Sequence, residues 1–101
     1  MPQRERVLQE TTTKLSPAEV LQSAKDFFAR QVGIYAAFPE QESKSHVSMR
    51  GQGGEEVIIA ALSQGGTTRV TGSTYLFDQQ VARFMATLAP VPEAVTTEGG
   101  V

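Results

Sequence analysis

Residues 57–62 read Val57-Ile58-Ile59-Ala60-Ala61-Leu62, an uninterrupted apolar run between the polar residues Glu55-Glu56 and Ser63-Gln64. A strand with one face in water alternates apolar and polar side chains, whereas in this run both alternate rows are apolar. We therefore predict a strand over residues 55–63 that is central in a sheet or covered on both faces.

Glycine-rich turns flank this strand. Gly51–Gly54 precedes it and Gly65–Gly66 follows it. A phosphate-binding loop needs a helix directly behind its glycines, but strands follow both runs, so hairpin turns are predicted. Residues 43–50 alternate in polarity, and residues 67–76 are rich in β-branched side chains, as strands are. Gly72 inside the second of these runs predicts a β-bulge.

Two segments have the pattern of amphipathic helices. The first begins with the capping box Ser16–Glu19, which has proline at the first helical position, and is expected to end near Gln31–Gly33 with Gly33 as its cap. The second is expected to begin at Asp78 as N-cap and to end at Pro90. Apolar residues recur at helical spacing at Val20, Leu21, Ala24, Phe27 and Phe28, and again at Val81, Phe84, Met85 and Leu88.

Two further strands complete the predicted order. Residues 5–14 are typical of an edge strand, and residues 33–38 form an apolar segment that Pro39 interrupts. The order β-α-β-β-β-β-α predicts an α+β domain over residues 1–90 with a four- to five-stranded antiparallel sheet. Each helix has one apolar stripe, so both are expected to pack on one face of the sheet. Residues 91–101 are expected to form a flexible C-terminal tail.

This order of elements resembles the compact TATA-binding-protein-like fold, in which helices back a curved antiparallel sheet. The segment Gly65–Val70, with the strand and amphipathic helix that follow it, is similar to the end of the START/polyketide-cyclase (helix-grip) superfamily. The first resemblance implies a concave sheet that binds nucleic acid. The second implies a curved sheet around a helix, over a cavity for an apolar ligand.

Composition limits the possible functions. The chain has 101 residues, a net charge of −2 and no cysteine, so disulfides, thiolate metal sites and a cysteine nucleophile are excluded. A general nucleic-acid binder needs clustered basic residues, which this balance does not supply. The polar start of the chain and the absence of a long apolar run predict a cytoplasmic protein without membrane contact.

Catalytic and metal-binding patterns are weak. The single histidine, His46, could transfer protons or bind a metal, but no second histidine accompanies it, so we interpret it as a solvated strand residue. The acid pairs Glu40/Glu42 and Glu55/Glu56 lie beside turns, where glutamates are usually solvated. We therefore predict no enzyme activity, no catalytic or metal-binding residue and no cofactor.

The first functional hypothesis is a non-enzymatic interaction domain. A one-sided sheet would leave a face or an edge strand available to a second copy of the chain. Its predicted interface residues are Ile58, Ala60, Leu62 and Tyr75.

Two alternatives stay open. A small apolar ligand could occupy a pocket between sheet and helices, lined by Phe28, Tyr35, Ile59 and Phe84. Nucleic-acid binding through a concave sheet ranks last because the predicted strands carry little positive charge.

Overall fold

The structure, a computed structural model, describes residues 7–88. These residues form an α+β fold in the predicted order β-α-β-β-β-β-α. The strands are β1 (Val7–Thr13), β2 (Ala37–Glu42), β3 (His46–Gly51), β4 (Glu56–Gln64) and β5 (Thr67–Tyr75), and the helices are α1 (Pro17–Ala29) and α2 (Asp78–Thr87). The predicted tail over residues 91–101 lies outside the described residues, as do both ends of the predicted domain.

The five strands form one antiparallel sheet in the order β1-β5-β4-β3-β2. The predicted central strand β4 lies in the middle and pairs with β3 on one side and β5 on the other. β4 and β5 are joined at Gly65 and Gly66, whose φ angles of +54° and +92° suit a tight hairpin turn. The predicted hairpin at this position is therefore confirmed.

Both helices lie on one face of the sheet. Val57, Ile59 and Ala61 of β4 are at most 1% exposed and belong to the same core as the apolar stripes of α1 and α2. The ring centroids of Phe28 in α1 and Phe84 in α2 lie 5.9 Å apart. The opposite face of the sheet carries no helix in the described part of the chain.

The start of α1 is confirmed in detail. Ser16 Oγ accepts a hydrogen bond from the Glu19 amide at 3.2 Å, and Glu19 Oε1 accepts one from the Ser16 amide at 2.8 Å. Such a cap stabilises a helix by about 1 kcal/mol. The predicted end was too late, because the helix stops at Ala29, and Gly33, with φ +49°, begins a separate 3₁₀ turn instead of capping α1.

The prediction for β2 was wrong in its bounds. The expected strand over residues 33–38 is a 3₁₀ turn at Gly33–Tyr35, and the strand runs on through Pro39 to Glu42. β2 is an edge strand, where a residue that lacks an N–H can be accommodated, and its pairing register shifts between Pro39 and Gln41. Proline therefore interrupts the pairing locally without ending the strand.

The predicted start of α2 was late by one position. Asp78 is the first helical residue, and the N-cap is Phe77, which provides no side-chain hydrogen bond. Phe77 is 3% exposed, and its ring centroid lies 6.0 Å from that of Tyr35. Burial of this ring, and not a polar cap, sets where the helix begins.

Gly72 does not form the predicted bulge. It pairs regularly with Gln9 of β1 and Ile59 of β4. A Cβ atom at this position would lie 2.8 Å from Val81 Cγ1 and 2.9 Å from Met85 Cε. The glycine is required because α2 packs directly on the backbone of β5.

We predict that Gly72→Ala lowers the free energy of unfolding by about 1–3 kcal/mol, because the new methyl group overpacks the contact between β5 and α2. Urea denaturation measures this change. Val81→Ala in the same chain should offset part of the loss, so the double variant should be less destabilised than the sum of the single variants. If the destabilisation of the double variant equals the sum of the two single changes in unfolding free energy, the proposed contact is contradicted.

Candidate interaction surface

The open face is the side of the sheet opposite the two helices. Side chains directly opposite each other in antiparallel strands point to the same face, so the pairing register identifies its members. They are Leu8, Glu10 and Thr12 of β1, Phe38 and Gln41 of β2, His46, Ser48 and Arg50 of β3, Glu56, Ile58, Ala60, Leu62 and Gln64 of β4, and Thr67, Arg69, Thr71, Ser73 and Tyr75 of β5.

Large apolar side chains are exposed on the open face. Leu8 is 68% exposed, Leu62 57% and Phe38 56%. Between them, Ile58 and Ala60 of the central strand are only partly buried. The apolar residues of this face thus lie on the central strand and on both edge strands, whereas the residues of β3 and β5 between them are polar apart from Tyr75.

An ion pair borders this apolar region on the β1 side. Arg69 Nε and Nη2 donate to the two carboxylate oxygens of Glu10 at 2.7 and 2.9 Å. These hydrogen bonds hold the pKa of Glu10 below its usual value and raise the pKa of Arg69. The bidentate geometry joins β1 to β5 and satisfies both charges within the face.

A second ion pair borders the region on the β2 side. Arg50 Nε and Nη2 donate to Glu40 at 2.9 and 3.1 Å, and Nη2 lies 3.9 Å from a carboxylate oxygen of Glu56. Hydrogen bonding to Arg50 lowers the pKa of Glu40, and the same contact raises the pKa of Arg50. Arg50 Nη1 also donates to the carbonyl oxygen of Gly54 at 3.3 Å. All three nitrogens of this guanidinium therefore have hydrogen-bond partners within the chain.

A shallow depression of about 190 Å³ lies on the open face between β4 and β5. Ala60 and Leu62 form its apolar wall, and Arg69 and Thr71 form its polar wall. Its size suits one or two apolar side chains of a partner. Because Arg69 is already paired with Glu10, the polar wall of this depression presents no unpaired arginine charge to a partner.

The structure brings the four predicted interface residues together. Ile58, Ala60 and Leu62 alternate with the buried row of β4, and Tyr75 lies directly opposite Glu56 on the same face. The predicted ligand residues are divided. Phe28, Ile59 and Phe84 are 0% exposed in the packed core, whereas Tyr35 is 44% exposed on the 3₁₀ turn. These three core residues therefore do not share a pocket with Tyr35 in the described part of the chain.

His46 has an orienting partner that the sequence did not reveal. Ser43 Oγ lies 2.6 Å from His46 Nδ1 and also accepts the amide hydrogens of Ser45 and His46, each at 3.2 Å. The Ser43 hydroxyl thus contacts both the imidazole ring and two backbone amides of the turn. The serine and histidine thereby close the turn between β2 and β3. Residues 7–88 contain no group of three acidic or histidine side chains arranged to hold a metal ion.

Comparisons with protein-family models, with curated proteins and with solved structures found no match. The resemblances to the TATA-binding-protein-like and helix-grip folds therefore stay predictions. Within the described residues, the helices are too short or too polar to span a membrane.

We predict that Arg69→Gln raises the pKa of Glu10 towards its usual value and leaves the lowered pKa of Glu40 unchanged, because Arg50 is intact. Carboxyl-detected NMR titration follows both groups. A lowered pKa in the folded state means that the pair stabilises the fold above the usual glutamate pKa, and that this contribution is lost as the pH falls through the lowered value. An unchanged Glu10 pKa in the variant would show that the pair does not form in solution.

Proposed function

We propose that this protein is a non-enzymatic interaction domain that self-associates through the open face of its sheet. The observation that carries the proposal is the outward apolar row of the central strand, Ile58, Ala60 and Leu62, on the same face as the exposed Leu8 and Phe38 of the two edge strands. A sheet face in water normally carries polar side chains, so an apolar row on the outward side of the central strand is typical of an interaction site.

A second copy of the chain is the occupant that the charges favour. A partner of opposite charge would be selected by unpaired charges on the face, but Arg69 is neutralised by Glu10, and Arg50 by Glu40. Two copies of this face can therefore meet without repulsion between unpaired like charges. The hydroxyl and small side chains between the apolar residues allow close approach of a second sheet.

The size of the face is sufficient for a modest dimer. Strands about 4.8 Å apart with a rise of about 3.3 Å per residue give the five-stranded sheet a face of roughly 600 Å². A typical stable interface buries about 800 Å² on each partner once side chains are counted. We therefore expect a reversible dimer whose dissociation is measurable by dilution.

The edge strands are less suited to association. β2 contains Pro39 and a register shift, two features that natural sheets use to prevent edge-to-edge pairing. Pairing through β1 would leave the apolar open face in water. Association through the open face therefore removes more apolar surface from water than pairing through β1 would.

A non-catalytic role in the cytoplasm belongs to the same proposal. His46 is engaged with Ser43 in the turn before β3, and the chain has no cysteine. The cysteine-free composition suits a reducing compartment.

We predict that Leu62→Lys weakens self-association by at least about 10-fold, because a buried apolar contact is replaced by a charge that must be desolvated. Sedimentation velocity over a range of concentrations measures the mass against the 10.9 kDa of the single chain. Ala86→Lys is the matched control, since Ala86 is exposed in the last turn of α2, where a cation is favourable.

The control should behave as the unmodified protein does. A monomer at every concentration in the unmodified protein would contradict the proposal. A dimer that Leu62→Lys leaves intact would also contradict it, and would point to pairing through β1.

A further inference from the structure

The start of α2 forms one wall of an open pocket of about 420 Å³, separate from the open face. It is lined by Tyr35, Leu76, Asp78, Gln79 and Gln80. The volume is in the range of sites for small organic ligands. The pocket combines polar groups of the helix start with the apolar surface of the 3₁₀ turn.

The helix start presents unpaired backbone donors. The first helical hydrogen bond runs from the Val81 amide to the Phe77 carbonyl oxygen at 3.0 Å. The amides of residues 78–80 precede it and have no acceptor within the helix, and Phe77 supplies no side-chain cap. The start of this helix is therefore able to donate to an external acceptor.

Gln80 supplies an independent indication of a ligand. Its side chain is 7% exposed and lines the pocket, yet its amide has no hydrogen-bond partner among residues 7–88. Buried side-chain amides are normally bonded, because an unmade hydrogen bond leaves the cost of desolvation uncompensated. A molecule that enters the pocket can make this hydrogen bond.

The other wall of the pocket is apolar. Tyr35 is 44% exposed and rests against the buried ring of Phe77. Leu76 is 50% exposed and has a φ of +85°, a left-handed conformation that is rare for leucine. This backbone turn presents an aliphatic side chain beside the polar helix start.

Charge restricts the class of ligand. Asp78 places a carboxylate next to the free helix amides, which disfavours an anion that these amides would otherwise attract. A neutral carbonyl oxygen can still accept from the amides. Gln80 needs both an acceptor for its NH₂ group and a donor for its carbonyl oxygen, and an amide group supplies both.

We propose that this pocket binds a neutral amide that carries an apolar substituent. The amide pairs with Gln80 and the amides of the helix start, and the apolar substituent lies against Tyr35 and Leu76. Such an amide is present both in a peptide segment and in a small acylated molecule. This site uses none of the residues of the open face, so it stands independently of self-association.

The test is a titration of the full chain with N-acetylleucinamide, followed by ¹H–¹⁵N NMR. We expect saturable shifts of the Gln80 side-chain NH₂ group and of the Leu76 and Gln79 amides. Gln80→Met keeps the size of the side chain and removes the amide, and should weaken binding by about 5-fold, as expected for one hydrogen bond. Gln52→Met, in the exposed turn between β3 and β4, is the matched control and should bind as the unmodified chain does.

A stability measurement separates a ligand-binding role from a structural one. Because the Gln80 amide makes no internal hydrogen bond, Gln80→Met should keep or raise the melting temperature while it weakens binding. A lowered melting temperature with unchanged binding would overturn the proposal, and so would the absence of saturable shifts with any probe.

Two further probes define the source of the amide and test the charge argument. Tighter binding of an acetylated tetrapeptide that contains leucine would identify a peptide, and equal binding would identify a small acylated molecule; either result supports an amide site. Preferential binding of inorganic phosphate would overturn it in favour of an anion site.

Discussion

Val57, Ile59 and Ala61 of β4 are buried in the core that both helices help to form, and the rest of the architecture depends on that burial. Burying a valine or isoleucine side chain contributes about 1.5–3 kcal/mol, so this row is a large part of the stability of a small domain. Successive side chains of a strand point to opposite faces, which puts the apolar Ile58, Ala60 and Leu62 on the open face. The register that builds the core therefore also builds the candidate interface.

Local signals were sufficient for much of the fold. The capping box of α1 and the glycines of the hairpin between β4 and β5 specify backbone geometry within a few residues, and both were predictable. The apolar run over residues 57–62 identified the central strand and, through its alternate residues, part of the open face. The members of the face on β1 required the pairing of strands that are distant in sequence. Glu10 and Arg69, for instance, are 59 positions apart.

Tertiary contacts decided what the sequence patterns could not. Gly72 looked like a bulge, but its role is to admit α2, and Pro39 looked like the end of a strand that in fact continues along an edge. Burial of Phe77 moved the start of α2 and left the helix amides uncapped beside Gln80. Each difference arises where packing between elements outweighs a local preference, and the last of them forms the polar wall of the pocket beside Tyr35 and Leu76.

The most direct test of the central claim is the solvent accessibility of leucine methyl groups, measured by NMR with a soluble paramagnetic agent over a range of protein concentrations. Leu62 on the open face and Leu76 beside the pocket are 57% and 50% exposed in the single chain. If the open face is an interface, Leu62 becomes protected as the concentration rises, while Leu76 stays accessible. Equal accessibility of the two methyl groups at every concentration would contradict the account.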